Sequence, residues 1–347
     1  MTLTAPPAAS GAAAVRRPRR RRALWLLVAV TVLVGVAVLS VMIGSREVSW
    51  SDVIAAFGGS TDGFERGAVA KRIPRTLLAA IAGAALGVAG VLMQGVTRNP
   101  LADPGILGVN TGASLAVVTG LVFFGLDTAS GYIWVAIGGA AVAAVFVYAV
   151  GSLGRGGATP LKLALAGAAT SAALVSVISA IVLPRADLAG GIRSWQIGGV
   201  GGATVASIGQ VAPFLIAGLV LCVLSAKSLN TLALGDELAA GLGERVAVAR
   251  GAAALGSVVL CGATTAVTGP IGFVGLVVPH ACRLLIGVDH RWLLPFSAVT
   301  GAVLLTGADI IGRLVARPSE IDVGIVTALI GAPVFIAIVR RQKVREL

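Results

Sequence analysis

What most restricts this chain is a succession of long apolar runs that contain no Asp, Glu, Lys or Arg. Lipid hydrocarbon offers no hydrogen-bond partner to an open backbone, so a run of about 20 apolar residues crosses it as a helix that pairs its own amides and carbonyls. Six such runs occupy residues 23–45, 76–97, 104–126, 128–154, 163–184 and the later part of 194–226. The stretch 251–282 is equally free of charge but too long for one upright helix. Gly269, Pro270 and Gly272 near its middle divide it into two. Residues 292–308 and 323–339 bring the total to ten, so the expected fold is all-α, a polytopic membrane protein of about ten transmembrane helices.

Charge sets the expected orientation. Arg16, Arg17 and Arg19 to Arg22 precede the first run, and Arg340, Arg341, Lys343 and Arg345 follow the last. Positive flanks stay on the cytoplasmic side, so both termini are expected there, which only an even number of crossings permits. The first run follows its arginines in the order of a secretory signal. It is longer than a signal's apolar core and lacks a clear small-x-small cleavage site, so it is expected to be retained as a span. Residues 1–22 then form a basic cytoplasmic tail, disordered near anionic lipid, residues 23–341 the transmembrane domain and residues 342–347 a cytoplasmic C-terminal tail. The longest polar segments, 46–75 and 185–207, fall outside, and 227–245 falls inside. Gly83 and Gly87 stand in a GxxxG arrangement, a spacing that lets helix backbones approach in lipid.

Composition excludes several classes. Hydrophobic residues make up 57% of the chain and charged residues 12%, against about 25% charged in a soluble domain. The net charge of +12 does not indicate nucleic acid, because the basic residues sit at the termini and between apolar runs without aromatic interleaving. Cys222, Cys261 and Cys282 lie singly in apolar stretches and read as packing residues. None of the four lysines follows a glycine, so no Walker A loop is present and the chain is not expected to hydrolyse ATP. His280 and His290 have no Cys, Glu or second His at metal-ligand spacing, and no nucleophile, base and acid constellation suggests an enzyme. Spans of ion-coupled transporters often carry ionisable side chains. Here Asp309 is the main candidate, and Arg313 one turn later makes a helix-end ion pair the simpler account. That pattern favours a transporter powered from outside its own chain, with a secondary transporter or channel as the reading from another class.

Four segments carry a family resemblance. Residues 72–114, RIPRTLLAAIAGAALGVAGVLMQGVTRNPLADPGILGVNTGAS, residues 229–243, LNTLALGDELAAGLG, residues 269–295, and residues 308–341 resemble, in order, the FecCD family of permeases. Together they extend the likeness over nearly all of residues 45–341. The resemblance implies the architecture of a type II ATP-binding cassette importer: two permease subunits, identical or homologous, around a central path. Two cytoplasmic ATPase subunits would hold ATP and magnesium, and a siderophore-binding protein would dock outside. No cofactor would be bound by this chain, which would sit in the bacterial cytoplasmic membrane. The wording of TRNPLADPGILGVN and GVDHRW is closest to permeases for ferric catecholates such as enterobactin, with haem or cobalamin as the alternative cargo.

The resemblance also assigns residues. Leu234, Gly235, Asp236, Glu237, Ala239, Gly241 and Gly243, within a segment of about 229–245, would couple to the ATPase. Asp236 at a helix start could accept amide hydrogen bonds and favour the positive end of the dipole. Arg72, Arg75 and Arg313 fall on the outer side, against the usual charge bias, and would pair with acidic residues of the binding protein. Thr170, Ser171, Ser176 and Ser179 either line the path or bond back to helix carbonyls. His280 follows Pro279, and a structural part is expected for it rather than iron binding.

Overall fold

A computed structural model describes residues 18–44, 63–100, 102–126, 128–153 and 159–343, with the single positions 49, 51, 54 and 58. Most of the expected N-terminal tail, and residues 344–347 of the C-terminal one, lie outside the described residues. Among the described residues the structure is all helical: α1 (Arg19–Met42), α2 (Phe64–Thr97), α3 (Val109–Phe124), α4 (Ala129–Gly151), α5 (Pro160–Val182), α6 (Ala186–Ile197), α7 (Val205–Leu232), α8 (Asp236–Gly241), α9 (Val246–Thr268), α10 (Val274–Ile286), α11 (His290–Val315) and α12 (Val323–Lys343). A 3₁₀ turn, Pro104–Leu107, precedes α3. Each of the ten expected runs is helical, and the division at 269–272 falls between α9 and α10. The two short helices beyond those ten are α6 and α8.

Seven of these helices are long and apolar enough to cross a membrane alone, whereas the apolar parts of α3, α10 and α12 are shorter. At 1.5 Å per residue the 13 residues of α10 extend about 20 Å, short of the hydrocarbon thickness. Irregular backbone extends α3 and α10, and the two irregular segments meet inside the protein. Asn110 Nδ2 donates to the Ile271 carbonyl at 3.3 Å, and Gln94 Nε2 of α2 donates to the Gly275 carbonyl at 3.2 Å. Asp103 caps the 3₁₀ turn by accepting from the Gly105 amide at 2.7 Å. Asp103, Asn110 and Gln94 are all buried, as required of non-helical backbone that is shielded from lipid.

Helix α2 is the axis of the bundle. Its 34 residues extend about 50 Å, and Leu78, Ala79, Ala82, Leu86, Ala89, Leu92 and Met93 are buried along it. By contrast α1 exposes Leu24, Leu27 and Val34, as expected of a peripheral helix against lipid. The most extensive partner of α2 is α11. The two backbones touch where they cross: a Cβ on Gly83 would overlap the Gly301 carbonyl, and one on Gly301 would overlap the Gly83 carbonyl. One turn on, a Cβ on Gly87 would stand 2.5 Å from the Ser297 oxygen. The expected GxxxG packing is therefore present, with α11 as the partner.

Replacing Gly83 with Leu is expected to cost at least about 2 kcal/mol, because neither backbone can retreat without unpacking its helix. Gly35→Ala on α1, where a Cβ would meet nothing within 4 Å, is expected to be neutral. Thermal unfolding of the two variants in detergent checks this: Gly83→Leu lowers the midpoint by several degrees or abolishes the folded species, and Gly35→Ala does neither.

Candidate functional site

At the end of the bundle where α2 finishes, a single turn of helix projects between α7 and α9. Gly235 precedes α8 with φ 114°, a left-handed conformation that favours glycine. Asp236 and Glu237 occupy the first turn, and Ala239 is fully buried. The turn closes through Gly243, as the Gly243 amide donates to the Ala240 carbonyl at 2.9 Å and the Glu244 amide to the Ala239 carbonyl at 3.0 Å. Leu234, Leu238 and Leu242 repeat every four residues and are all more than half exposed. Glu237, Gly241 and Gly243 are exposed beside them. All seven residues expected in the coupling segment thus sit on or beside one small helix. Its leucine row faces away from the protein while Ala239 faces in.

Asp236 does not accept the helix amides expected of it. Its carboxylate pairs instead with Arg98, at the left-handed end of α2, and with Arg250 of α9 at 2.9 Å. The side chain therefore ties α8 to two long helices. A second knot lies close by. Asp289 caps α11 through the Arg291 amide at 3.1 Å, accepts from Asn230 Nδ2 at 2.9 Å and stands 3.5 Å from Arg22. Burial alone would raise the Asp289 carboxyl, but Asn230, the Arg291 amide and the nearby arginines hold it below the ordinary carboxylate range. The sequence reading passed over Asn230 and Asp289. The cap was findable from an Asp directly before an apolar helix, but its link to Asn230 was not.

The opposite end carries the arginines. Arg75 donates to buried Asp309 through Nε at 3.0 Å and Nη2 at 2.8 Å, and through Nη1 to Glu320 at 2.5 Å. Arg313, only 2% exposed, pairs with Asp309 at 3.0 Å. It also donates to the Ser40 and Ile43 carbonyls at 2.8 Å each and to Ser40 Oγ at 2.6 Å. Arg72, likewise buried, donates to the Val41 and Met42 carbonyls at 3.2 and 2.9 Å, and Arg317 to that of Gly44. Cations at a helix C-terminus satisfy carbonyls that lack an intrahelical donor, so three arginines form a clasp over the end of α1. Burial raises the Asp322 carboxyl at this rim, and Arg75 only partly offsets it. The helix-end pair expected of Asp309 and Arg313 is present, enlarged by Arg75.

On α5, Ser176 and Ser179 are exposed and donate to the Ala172 and Val175 carbonyls, each at 2.9 Å. Ser171 is half-buried and accepts from Thr111 Oγ1 at 3.2 Å, and Thr170 is half-buried. Among the described residues no group of His, Cys, Asp and Glu is placed to hold a metal ion, and the three cysteines are free and buried.

Comparison with known proteins then covers the whole bundle. Residues 30–341 match the FecCD transport family. The ferric enterobactin transport system permease FepD of Escherichia coli is 44% identical over 335 residues, 96% of this chain and 98% of that one. The hemin transport system permease HmuU of Yersinia pestis is 39% identical over 280 residues, 78% of this chain and 82% of that one. Among solved structures, a metal-chelate type ABC transporter in an inward-facing conformation superposes with a TM-score of 0.73 at 28% identity, covering 92% of this chain and 99% of its counterpart.

Removing Arg313 would leave the buried Asp309 charge short of one partner and the Ser40 and Ile43 carbonyls without this donor, while Ser40 Oγ keeps Thr76 Oγ1 at 2.7 Å. Arg313→Ala is expected to destabilise the protein by about 3 kcal/mol or more. Glu320→Gln, at the exposed edge of the same network, is expected to change stability by less than about 1 kcal/mol. Unfolding midpoints of the two variants in one detergent check the difference.

Proposed function

The chain belongs to the FecCD transport family, and from that premise we propose that this permease of an ATP-binding cassette importer carries an iron–siderophore chelate, of the catecholate class, into the cytoplasm. The observation that supports the drive mechanism is α8, a tethered helix presenting three exposed leucines and Glu237 to a partner. In this reading α8 seats in a cleft of a cytoplasmic ATPase, one ATPase for each of two permeases. ATP and magnesium act there, and this chain binds no cofactor. The end bearing α8 is then cytoplasmic together with both termini, and the clasp is extracytoplasmic.

Closure of the ATPases would displace α8, and the ties from Asp236 to Arg98 and Arg250 would carry that displacement into α2 and α9. A bulky polar chelate crosses best through a wet, weakly holding passage, since tight contacts would slow release. The exposed hydroxyls Ser176 and Ser179 on α5 suit that wall, with Thr170 and Ser171 deeper in the helix. The exposed apolar faces of α5 and α12, including Val175, Val177, Leu329 and Ile336, suit the second permease. Outside, Arg75 and the acidic rim of Glu320 and Asp322 offer mixed charge to a siderophore-binding protein, and charge of this kind sets register and encounter rate. Arg72 and Arg313 contribute to that surface by fixing α1 and Asp309 beneath it. The hemin permease relative supports haem as the second cargo reading, with cobalamin in the same test.

The test is uptake by proteoliposomes containing the chain, its candidate ATPase and its binding protein, with iron-labelled catecholate siderophore measured beside haem and cobalamin. ATP-dependent uptake selective for the siderophore is expected, lost when the ATPase is omitted, in Asp236→Arg, and in Arg72→Glu combined with Arg75→Glu. Uptake that persists without the ATPase would overturn the drive mechanism. Preferential uptake of haem or cobalamin would overturn the cargo.

A further inference from the structure

Asn230 is two residues from the end of α7 and six before Asp236, and it is the point where α7 meets α11. Its Oδ1 accepts both from the His290 main-chain amide at 2.9 Å and from the imidazole Nδ1 at 2.8 Å. Its Nδ2 donates to Asp289 at 2.9 Å. An oxygen that already accepts the amide requires a proton on Nδ1, so the network fixes the His290 tautomer and ring plane. The other ring nitrogen has no hydrogen-bond partner and is buried. It rests on the last turn of α2, where a Cβ on Gly95 would stand 2.9 Å away. Leu229 and Leu232, both 1% exposed, pack the same junction shut.

Three long helices thus converge on one rigid polar joint directly above α8: the end of α7, the start of α11 and the end of α2. The ties at Asp236 bypass α11, because they run to α2 and α9. From the joint, α2 and α11 continue together through the Gly83–Gly301 backbone contact to the arginine clasp, where Arg75 of α2 and Arg313 of α11 share Asp309. The tie from Asp236 reaches α2, and the joint gives movement at this end a direct route into α11 as well. We propose that Asn230, Asp289 and His290 are positioning residues that transmit the displacement of α8 to the α2–α11 pair, so that ATP hydrolysis and passage of the chelate stay coupled. This rests on the reading of α8 as the ATPase contact. Coupling between distant sites is carried by elements whose arrangement both sites bias, so losing such an element lets ATP be hydrolysed without the matching movement of chelate.

The complete transporter in proteoliposomes, assayed for chelate imported per ATP hydrolysed, tests the joint. Asn230→Leu keeps the branched shape but removes every side-chain hydrogen bond, and it is expected to lower that ratio about tenfold with hydrolysis itself largely retained. Asp289→Asn keeps Oδ1 as the acceptor of both the Asn230 Nδ2 and the Arg291 amide bonds, loses only the charge that faces Arg22, and is expected to retain most of the ratio. A ratio unchanged in Asn230→Leu overturns the proposal. Should that variant fail to assemble, Asn230→Ala, which removes the same bonds without added bulk, decides: a lowered ratio supports the joint, and an unchanged ratio or a second failure to assemble overturns it. Leu238→Glu, on the exposed face of α8, separates the two ideas. If it still co-purifies with the ATPase, the underlying reading of α8 fails. If it loses the ATPase while Asn230→Leu keeps full coupling, only the joint fails.

Discussion

The backbone contact between α2 and α11 is the constraint from which the rest of the architecture follows. Lipid provides little hydrophobic drive to bring helices together, so close approach through small residues must supply the dispersion energy that side-chain burial supplies in water. Gly83 and Gly301 allow that approach, and the neighbouring Gly87–Ser297 contact keeps the two helices in register over the next turn. Once they are locked, the ends of both helices lie side by side at each face of the bundle. One face then gathers Arg75, Asp309 and Arg313, and the other gathers Arg98, Asp289 and His290. Splaying the helices at their crossing would draw Arg75 away from Asp309 at one end and Gly95 away from His290 at the other.

A second constraint, the need to satisfy backbone groups away from water, explains the irregular parts. Helices α3 and α10 are short, and the chain that extends each is buried against the other and against α2. Their carbonyls find donors in Asn110 and Gln94, residues unwelcome in hydrocarbon unless they perform this task. The same reasoning accounts for the arginine clasp. The last turn of α1 leaves carbonyls without amide donors, and Arg72, Arg313 and Arg317 provide them. The positive charge of the clasp closes a helix end and neutralises Asp309.

Much of this was legible in the sequence. The charge-free runs located ten helices, seven of them long and apolar enough to cross a membrane, and Gly269, Pro270 and Gly272 located the break between α9 and α10. Gly83 and Gly87 marked a packing face without naming its partner. The coupling segment was visible only through its likeness to a family, since one turn of helix has no periodicity to read. What remained hidden depends on residues far apart in the chain. Asn230 and Asp289 are separated by 59 positions and Arg313 and Ser40 by 273, and neither pairing leaves a local pattern. The run length of a span also conceals whether it is helical throughout, because an apolar segment buried in protein has the composition of one facing lipid.

Taken together, the two polar clusters divide the labour of a machine whose interior is almost uncharged. The ion pairs among the described residues gather at the ends of α2 and α11, while the helix expected to face the passage offers hydroxyls whose bonds return to its own carbonyls. In the proposed reading a chelate meeting such a wall would find no charge to hold it, and the energy for transport would enter at the α8 end. The α2–α11 pair carries a polar cluster at each end. A force applied at α8 is therefore felt as a change in the relation between those clusters, and the crossing at Gly83 and Gly301 makes that relation rigid.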